Sequence, residues 1–397
     1  MTRRGDARGL RVCWVDTMRY TQPLQAGQAR KWRRLTEDLG VDIFVTSFAP
    51  GLRPQCFREH ARFIQWPALP LAPLRWLTAW LLVPPVVLWL VFARRIDVLI
   101  AHDPVIGAAA ALAKALARLA GRRVALVVET RGDFLKGFVG QRRMPMPGLW
   151  LGLIRRLARY SLARADALRA VSASSAGQLR EFAPQKPLRQ FMSWTDAAVF
   201  QTFRVKQSES QRQEVLYAGV LIPRKGIREL IEAYARIADH VPQVRLRIVG
   251  EPANRDYASG LRRQVSELGL ESRITIGDPL PQAELAVAMA RARLLVLPSY
   301  SEGLPKVLVE AMLCGTPVLA SAVDGIPEIV EDGVHGWLVP PGDVTALAGK
   351  LLHALCEADL DRMGETAREF ATHLFSAESY VKQYGELFVL AWNEAQR

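Results

Sequence analysis

The sequence predicts an α/β protein with two doubly wound, Rossmann-like domains that face a cleft. Its 397 residues exceed what one hydrophobic core usually supports, so two domains are expected. In residues 10–200, short apolar runs alternate with helical patterns, which is typical of parallel strands joined by crossover helices. A second sheet is predicted to start at residue 214, directly after a polar stretch.

That polar stretch sets the predicted domain boundaries. Residues 202–213 lack apolar periodicity, so we assign residues 201–213 to a linker. It joins an N-terminal domain, residues 1–200, to a C-terminal domain, residues 214–375. Residues 376–397 are predicted to form a terminal helix.

The N-terminal half contains six apolar runs that we interpret as strands: residues 10–15, 41–46, 62–66, 97–101, 124–129 and 167–171. The first long helix is predicted to open at residues 25–31 and to run to Leu39. Residues 1–9 are basic and lead directly into the first strand. We therefore expect a frayed tail and no signal peptide.

The most informative stretch of the C-terminal half is residues 298–315. It follows a short apolar run typical of a buried parallel strand, and it continues into a helix with Pro305 suited to the first helical position and Gly315 to the stop. In open α/β sheets, ligands bind at such strand ends, and free helix N–H groups favour phosphate. Glu302 lies in the loop and Glu310 in the helix. One carboxylate can face a sugar beside the phosphates while the other reaches a hydroxyl further along.

These residues resemble the glutamate signature of the family 4 (group 1) glycosyltransferases, which have the GT-B fold. The resemblance extends through residues 315–328 and 332–340, so it covers the C-terminal domain well and the N-terminal domain loosely. It implies hexosyl transfer from a nucleoside-diphosphate sugar to a glycan, lipid-linked or other cell-envelope acceptor. It also implies retention of configuration and a terminal helix that packs back on the N-terminal domain. No metal or other cofactor is expected, because no metal-ligand cluster is visible in the sequence.

The predicted catalytic residues are Glu302, Lys225 and Arg224. Arg224 and Lys225 precede a helix amino end, where N–H groups and cations converge on a diphosphate. Lys225 matches the family lysine, and Arg224 beside it resembles the Arg-Lys-Gly variant of lipopolysaccharide-core transferases. The resemblance implies that Glu302 orients the sugar.

Donor-binding residues follow in part from the same resemblance. Glu310 is expected to bind the ribose hydroxyls, and the N–H groups near Gly303 and Leu304 are expected to stabilise the diphosphate. Three loop glycines are further candidates for close approach to the donor: Gly27, Gly219 and Gly277.

The acceptor side is predicted from two strand ends of the N-terminal domain. His102 and Asp103 follow one strand, and Arg131 and Asp133 follow the next. Many relatives carry histidine where Arg131 stands, so the role of that histidine is not transferred, and Arg131 is expected to hold an anionic group. For Asp103, a helix-capping role is an equal alternative.

Charge and cysteine content indicate the partners and the compartment. Of the net charge of +13, residues 1–200 carry 31 Lys/Arg against 13 Asp/Glu, a balance of +18, and the remainder carries 21 against 26, a balance of −5. The basic half indicates an anionic membrane surface or acceptor. Nucleic acid is disfavoured, since no reading module is recognisable. The four cysteines are scattered, which fits a cytoplasmic protein and argues against a disulfide framework or a zinc site.

Residues 76–93 are free of charge and are flanked by arginines. Two interpretations stay open: a surface that lies in the lipid headgroup region at the inner face of the plasma membrane, or a crossover helix buried against the sheet. Pro84 and Pro85 argue against a membrane-spanning helix. The arginines of residues 150–164 could likewise contact anionic lipid or form a solvated helix face.

Two other functions remain as alternatives. Val220 stands where the family often has arginine, which keeps open a GT-B-like partner that binds nucleotide sugar at the membrane but has weak or no activity. A sugar-nucleotide epimerase of the same fold is the second alternative, although it would not need the apolar and basic surface.

Overall fold

The computed structural model describes residues 4–69, 72–130, 132–135, 147–203, 212–303 and 305–397. The chain forms two compact units, of which the first comprises Met1–Trp194 and Ala377–Arg397 and the second comprises Thr195–Ser376. Each unit contains one β-sheet with helices on its faces, so the predicted pair of doubly wound α/β domains is confirmed. Of the predicted linker, residues 204–211 lie outside the described part.

The first unit begins with the following strands and helices: β1 (Arg11–Arg19), α1 (Ala26–Leu39), β2 (Asp42–Phe48), β3 (Gln55–Glu59), β4 (Ala61–Trp66), α2 (Ala72–Ala93), β5 (Val98–Ala101), α3 (Pro104–Leu119), β6 (Ala125–Thr130), α4 (Pro147–Arg164), β7 (Ala167–Ala170), α5 (Ala173–Phe182) and β8 (Leu188–Gln190). The strand order is β3-β4-β2-β1-β5-β6-β7-β8. Among the described strands, β3 pairs antiparallel with β4, and the other pairs are parallel. From β1 the chain first adds strands on one side of the sheet and then, from β5 onward, on the other side, so the direction of the strand order reverses between β1 and β5.

The second unit continues with these elements: α6 (Ala197–Thr202), β9 (Glu214–Ala218), α7 (Ile227–Ile237), β10 (Arg245–Val249), α8 (Arg255–Glu267), β11 (Ile274–Gly277), α9 (Gln282–Arg291), β12 (Leu294–Leu297), α10 (Lys306–Leu313), β13 (Val318–Ser321), β14 (Gly336–Val339), α11 (Val344–Cys356) and α12 (Leu360–Leu374). Its parallel sheet has the order β11-β10-β9-β12-β13-β14. Counted along the chain this order is 3-2-1-4-5-6, which is the Rossmann arrangement with its reversal between β9 and β12.

The terminal helix, α13 (Ala377–Gln396), belongs to the first unit and packs on its sheet and on α1. Tyr384 and Phe388 of α13 contact Trp14 of β1, with ring centroids 5.7 Å apart in both pairs. The opposite face of this sheet is covered by α2, α3 and α4. Both sheet faces are therefore covered, as expected for strands that are apolar on both sides.

All six strands predicted in the N-terminal half are present. The two strands that the prediction missed, β3 and β8, carry exposed residues and show no apolar run, because each lies at a sheet edge. The helix predicted after residue 305 is α10, and it ends where Gly315 adopts a left-handed conformation with φ +80°.

Candidate functional site

The candidate site lies where the strand order of the second sheet reverses. The segment after β9 forms a short 3-10 turn over Pro223–Lys225 and then enters α7 at Gly226. The segment after β12 covers residues 298–303 and 305 before α10 begins. Both leave the carboxyl ends of neighbouring parallel strands, the position at which open α/β sheets bind ligands.

The two segments are in direct backbone contact. Gly226 has φ +66°, and a Cβ atom there would lie 2.0 Å from the carbonyl oxygen of Pro298, so only glycine fits. The Tyr300 N–H donates to the Arg224 carbonyl at 2.9 Å, and Arg224 Nη1 donates to the Ser301 carbonyl at 2.5 Å. This packing holds Arg224 and Lys225 against the loop that carries Glu302.

The predicted catalytic residues Lys225 and Glu302 form an ion pair. The Lys225 ammonium contacts Oε1 of Glu302, and the Ser299 hydroxyl donates to the same oxygen at 2.7 Å. Both side chains of the pair are largely removed from solvent. The structure therefore brings Glu302 to Arg224 and Lys225, from which it is more than seventy residues away in the sequence.

Glu310 occupies a different environment on α10, where it is half-buried. Burial raises the pKa of its carboxyl to about 7, the Lys306 ammonium opposes that shift, and the carboxylate of Asp196 adds to it. A carboxyl that is half protonated near neutral pH is poised to become ionised when hydroxyl donors approach it.

Asp324 is a site residue to which the sequence analysis gave no role. Its Oδ2 accepts hydrogen bonds from the Glu302 N–H at 2.7 Å and from the Ser301 hydroxyl at 2.8 Å. The sequence contained a signal for it, since an acidic residue directly before Gly325 marks a turn at the end of a strand.

The predicted donor glycines have different positions. Gly219 directly follows β9, and its carbonyl oxygen would lie 1.8 Å from a Cβ atom at Gly250, so these two strand ends pack backbone on backbone. Gly277 ends β11 and Gly303 lies in the loop after Glu302, whereas Leu304 is outside the described residues.

Gly27 was predicted in a loop, and this is wrong. It lies in the first turn of α1, and its carbonyl accepts a hydrogen bond from Trp194 Nε1 at 3.1 Å. The N–H of Leu24, two residues before α1, donates to the Glu59 carboxylate at 3.0 Å.

The reversal point of the first sheet also gathers charged residues. His102 follows β5, and its Nε2 lies 3.1 Å from Oδ2 of Asp16 in β1, while its Nδ1 contacts Oε1 of Glu129 in β6. Oε2 of Glu129 accepts from Arg169 at 3.0 Å and from the Tyr384 hydroxyl at 2.8 Å. We call these five residues the buried network, and its members are 5% exposed or less.

Two further predicted acceptor-side residues, Asp103 and Asp133, accept local hydrogen bonds. Asp103 caps α3 by accepting from the N–H groups of Val105 and Ile106 at 2.7 and 2.8 Å, and burial raises the pKa of its carboxyl. Asp133 accepts from Gln178 Nε2 at 2.7 Å. Arg131 lies outside the described residues. Contact of these residues with an acceptor stays a prediction.

A stripe of exposed apolar side chains runs along α2. It contains residues at helical spacing on the face opposite the core: Leu77, Leu81, Pro85, Trp89 and Phe92. The other face of α2 is buried against the sheet through Ala79, Val83 and Val87. Among the helices in the described part of the chain, none combines the length and apolarity needed to cross a bilayer.

The helices beside α2 also expose apolar side chains. α3 packs on α2 and exposes Leu112, Leu116 and Leu119, and α4 packs on α3 and exposes Leu149 and Leu153. We call the exposed apolar residues of these three helices the apolar face. Exposed arginines accompany it: Arg94, Arg95, Arg118, Arg155, Arg156 and Arg159.

Comparison with known proteins identifies the family. The model of the "Glycosyl transferase 4-like domain" matches residues 6–191, and that of "Glycosyl transferases group 1" matches residues 199–370. The chain belongs to the family 4, or group 1, glycosyltransferases. This confirms the predicted family.

Two curated relatives illustrate the similarity. The N-acetyl-alpha-D-glucosaminyl L-malate synthase of Bacillus anthracis is 29% identical over 244 residues, which are 59% of this chain and 62% of that protein. The D-inositol 3-phosphate glycosyltransferase of Mycobacterium leprae is 42% identical over 127 residues, which are 32% of this chain and 29% of that protein. The match thus spans less than two thirds of either relative. Both relatives are glycosyltransferases and neither is an epimerase, so these relatives do not support the epimerase alternative.

Solved structures agree on the fold. Sucrose-phosphate synthase from Thermosynechococcus elongatus superimposes with a TM-score of 0.75 at 23% identity, covering 96% of this chain and 98% of the other. HepE of Anabaena, solved in complex with UDP, has a TM-score of 0.73 at 23% identity and covers 95% and 99% of the two chains. The fold of this chain is therefore the GT-B fold of two Rossmann-like domains.

Proposed function

We propose that this glycosyltransferase moves a hexose from a nucleoside-diphosphate sugar to a hydroxyl of a glycan, lipid-linked or other cell-envelope acceptor. The observation that carries the proposal is the Lys225–Glu302 ion pair at the reversal point of a Rossmann sheet. It combines a cation for phosphate and a carboxylate for sugar hydroxyls at the position where such sheets bind nucleotides.

The chemistry requires one bond to break and one to form. The bond from the anomeric carbon to the diphosphate oxygen breaks, and its electron pair leaves with the diphosphate. The acceptor oxygen bonds to the anomeric carbon and loses its proton. Negative charge develops on the leaving group, and preorganised cations stabilise such charge. Lys225 and Arg224 supply these cations, so we propose transfer without a metal ion.

Donor binding exchanges the partners of the ion pair. In the structure, the Glu302 carboxylate pairs with the Lys225 ammonium. A diphosphate carries more negative charge than one carboxylate and takes over the ammonium, which leaves Glu302 to accept from sugar hydroxyls. Ser299 keeps its hydrogen bond to Glu302 during this exchange and limits the movement of the carboxylate. Glu310 then binds the ribose hydroxyls, and the family resemblance favours retention at the anomeric carbon.

The test is a screen of UDP-, GDP- and ADP-sugars for thermal stabilisation, followed by transfer assays with the donor that stabilises. Lys225→Ala should lower turnover by about 10²–10³, the scale for deleting one preorganised donor. Lys350→Ala, which removes a lysine of α11, is the control and should leave turnover unchanged. Turnover of Lys225→Ala close to that of the wild type would refute the phosphate role. NMR of the product decides between retention and inversion.

A binding-only protein is a separate outcome of the same screen. It would be stabilised by a nucleotide sugar and would neither transfer nor hydrolyse it. That result would leave the site assignment in place and refute the reaction.

The apolar face supports a second proposal, that the enzyme associates peripherally with an anionic membrane on the cytoplasmic side. Leu81 and Trp89 lie 64% and 53% exposed on one side of α2, and arginines stand at its end and on the neighbouring helices. Apolar insertion combined with attraction to anionic lipid gives reversible anchoring. The alternative interpretation, a crossover helix buried against the sheet, describes the other side of α2, which is an ordinary core face.

Sedimentation with vesicles tests the membrane proposal. The enzyme should sediment with anionic vesicles more than with neutral ones, and salt should release part of it because exposed charges are screened beyond about 10 Å at 0.1 M. Leu81→Ser combined with Trp89→Ser should reduce binding. Leu268→Ser, an exposed leucine of the second unit, is the matched control. Equal binding of all variants, or none by the wild type, would contradict the proposal.

A further inference from the structure

Asp324 adopts a backbone conformation that is unusual for its residue type. It lies beyond the carboxyl end of β13, the strand next to β12, and its φ is +48°. Side chains with a Cβ atom avoid this left-handed region, although aspartate and asparagine tolerate it better than most. Gly325 follows directly and has φ −86°, so the glycine does not occupy the left-handed position. An aspartate at this position therefore calls for an explanation in its contacts.

Those contacts go to two successive residues of the site loop. The same oxygen, Oδ2, accepts from the main-chain N–H of Glu302 and from the side-chain hydroxyl of Ser301. Arg224 Nη1 meanwhile donates to the carbonyl of Ser301. The Asp324 carboxylate thus holds the loop at the N–H of Glu302, and the Arg224 guanidinium holds it at the carbonyl of Ser301.

We propose that Asp324 is a positioning residue that fixes the main chain of Glu302, an inference that rests on the sugar transfer proposed above. The side chain of Glu302 is held by Lys225 and Ser299, and the exchange of Lys225 to the diphosphate removes one of these two contacts. The bond from Asp324 anchors the backbone of Glu302 throughout the exchange. Its carboxylate therefore stays where it can accept from the sugar hydroxyls, and it is Glu302 rather than Asp324 that touches the substrate.

The same geometry changes which N–H groups are available for phosphate. The N–H of Glu302 already donates to Asp324, so the loop contributes that group to its own anchoring and not to the donor. The carboxylate also adds negative charge beside a loop that is proposed to receive a diphosphate, and like charges weaken anion binding. Asparagine would keep the acceptor oxygen and tolerate the left-handed backbone while removing that charge.

Three variants test the proposal. Asp324→Gly removes the carboxylate and suits the left-handed backbone, so relief of backbone strain offsets part of the loss of two hydrogen bonds and the protein should still fold. Its kcat should fall about 10- to 100-fold, the scale of misplacing a reacting group by about 1 Å, while its affinity for the nucleoside diphosphate should not fall. Asp324→Asn should restore kcat and bind the nucleoside diphosphate more tightly than the wild type.

Asp332→Gly is the matched control, because it removes another carboxylate-to-amide hydrogen bond, from Leu338 N–H to Asp332, outside the site. It should leave kcat unchanged. A kcat for Asp324→Gly equal to that of the wild type would overturn the inference and leave the proposed function intact.

Amide hydrogen exchange separates the inference from the proposed function. The Glu302 amide should be protected in the wild type and in Asp324→Asn, and it should exchange faster in Asp324→Gly. Equal protection in all three proteins would overturn the positioning role whatever the activity. Absence of transfer by the wild type with every donor would instead refute the proposed function, and the exchange rates would still decide whether Asp324 holds the loop.

Discussion

The reversal points of the two sheets place charged residues in the same topological position but in different surroundings. In the second unit, Lys225 and Glu302 sit on loops beyond the strand ends, with Arg224 and Asp324 beside them. In the first unit, Asp16 lies within β1 and His102 directly follows β5, and both belong to the buried network. Topology gathers polar groups at both points, and burial decides whether a ligand can replace one of their partners.

The buried network is closed by charge and by hydrogen bonds. The two ring nitrogens of His102 lie next to carboxylate oxygens of Asp16 and Glu129, and Arg169 forms an ion pair with Glu129. Tyr384 adds a hydrogen bond from the terminal helix, and Arg169 also donates to the carbonyls of Phe191 and Met192 at 3.1 and 2.9 Å. A network of this kind holds β5, β6, β7 and α13 together. This suggests a structural role for His102, in contrast with the predicted acceptor contact.

The largest expected effect is on stability in the first unit. Arg169→Met should lower the free energy of unfolding by about 3–5 kcal/mol, because it leaves Glu129 as a buried charge without its cation. Chemical denaturation followed by tryptophan fluorescence measures this, since nine of the ten tryptophans belong to the first unit. If Arg169→Met unfolds at the wild-type midpoint, the network does not support the fold and the contrast between the two reversal points is lost.

The next effect is the pH dependence of donor binding in the second unit. The pKa of Glu310 is raised by burial to about 7, so the carboxyl is mostly protonated at pH 6 and mostly ionised at pH 8. Ribose hydroxyls donate to the ionised form, so affinity for the nucleotide sugar should rise about tenfold over this range. A nucleotide sugar is the proper probe because its phosphates do not titrate near pH 7. Glu310→Gln should flatten the profile, and an equally steep profile in that variant would assign the titration elsewhere.

The same group makes a signed prediction for stability. Because its pKa is raised in the folded state, the Glu310 carboxyl keeps its proton to a higher pH in the folded than in the unfolded protein. Its contribution therefore favours the unfolded state progressively as the pH rises from 4.5 through about 7. Glu310→Gln should remove this decline.

The smallest effect concerns Asp103. Because its carboxylate caps α3, Asp103→Ala should lower stability by about 1 kcal/mol, and Asp103→Ser should recover most of it. Neither change should alter the KM for the acceptor. A raised KM in the serine variant, which keeps the cap, would support the predicted acceptor contact.

Sequence patterns predicted the fold class and six strands of the first sheet because buried parallel strands are continuous apolar runs. They could not reveal β3 or β8, whose residues are partly solvated at the sheet edges. They also located Lys225, Arg224 and Glu302 at strand ends. The ion pair between Lys225 and Glu302 could not be predicted, because it depends on the close approach of Gly226 to Pro298 in the folded unit. Asp324 was missed because the turn signal before Gly325 does not show its contacts with Ser301 and Glu302, which form only in the folded unit.

Calorimetry with the nucleoside diphosphate of the stabilising donor tests the central claim, that diphosphate replaces Glu302 as the partner of Lys225. Lys225→Ala should weaken binding about 10- to 100-fold, the range for a hydrogen bond to a charged group. Glu302→Ala should bind the diphosphate at least as tightly as the wild type, because it frees the ammonium in advance, although it transfers poorly. Equal losses of affinity in the two variants would contradict the exchange of partners.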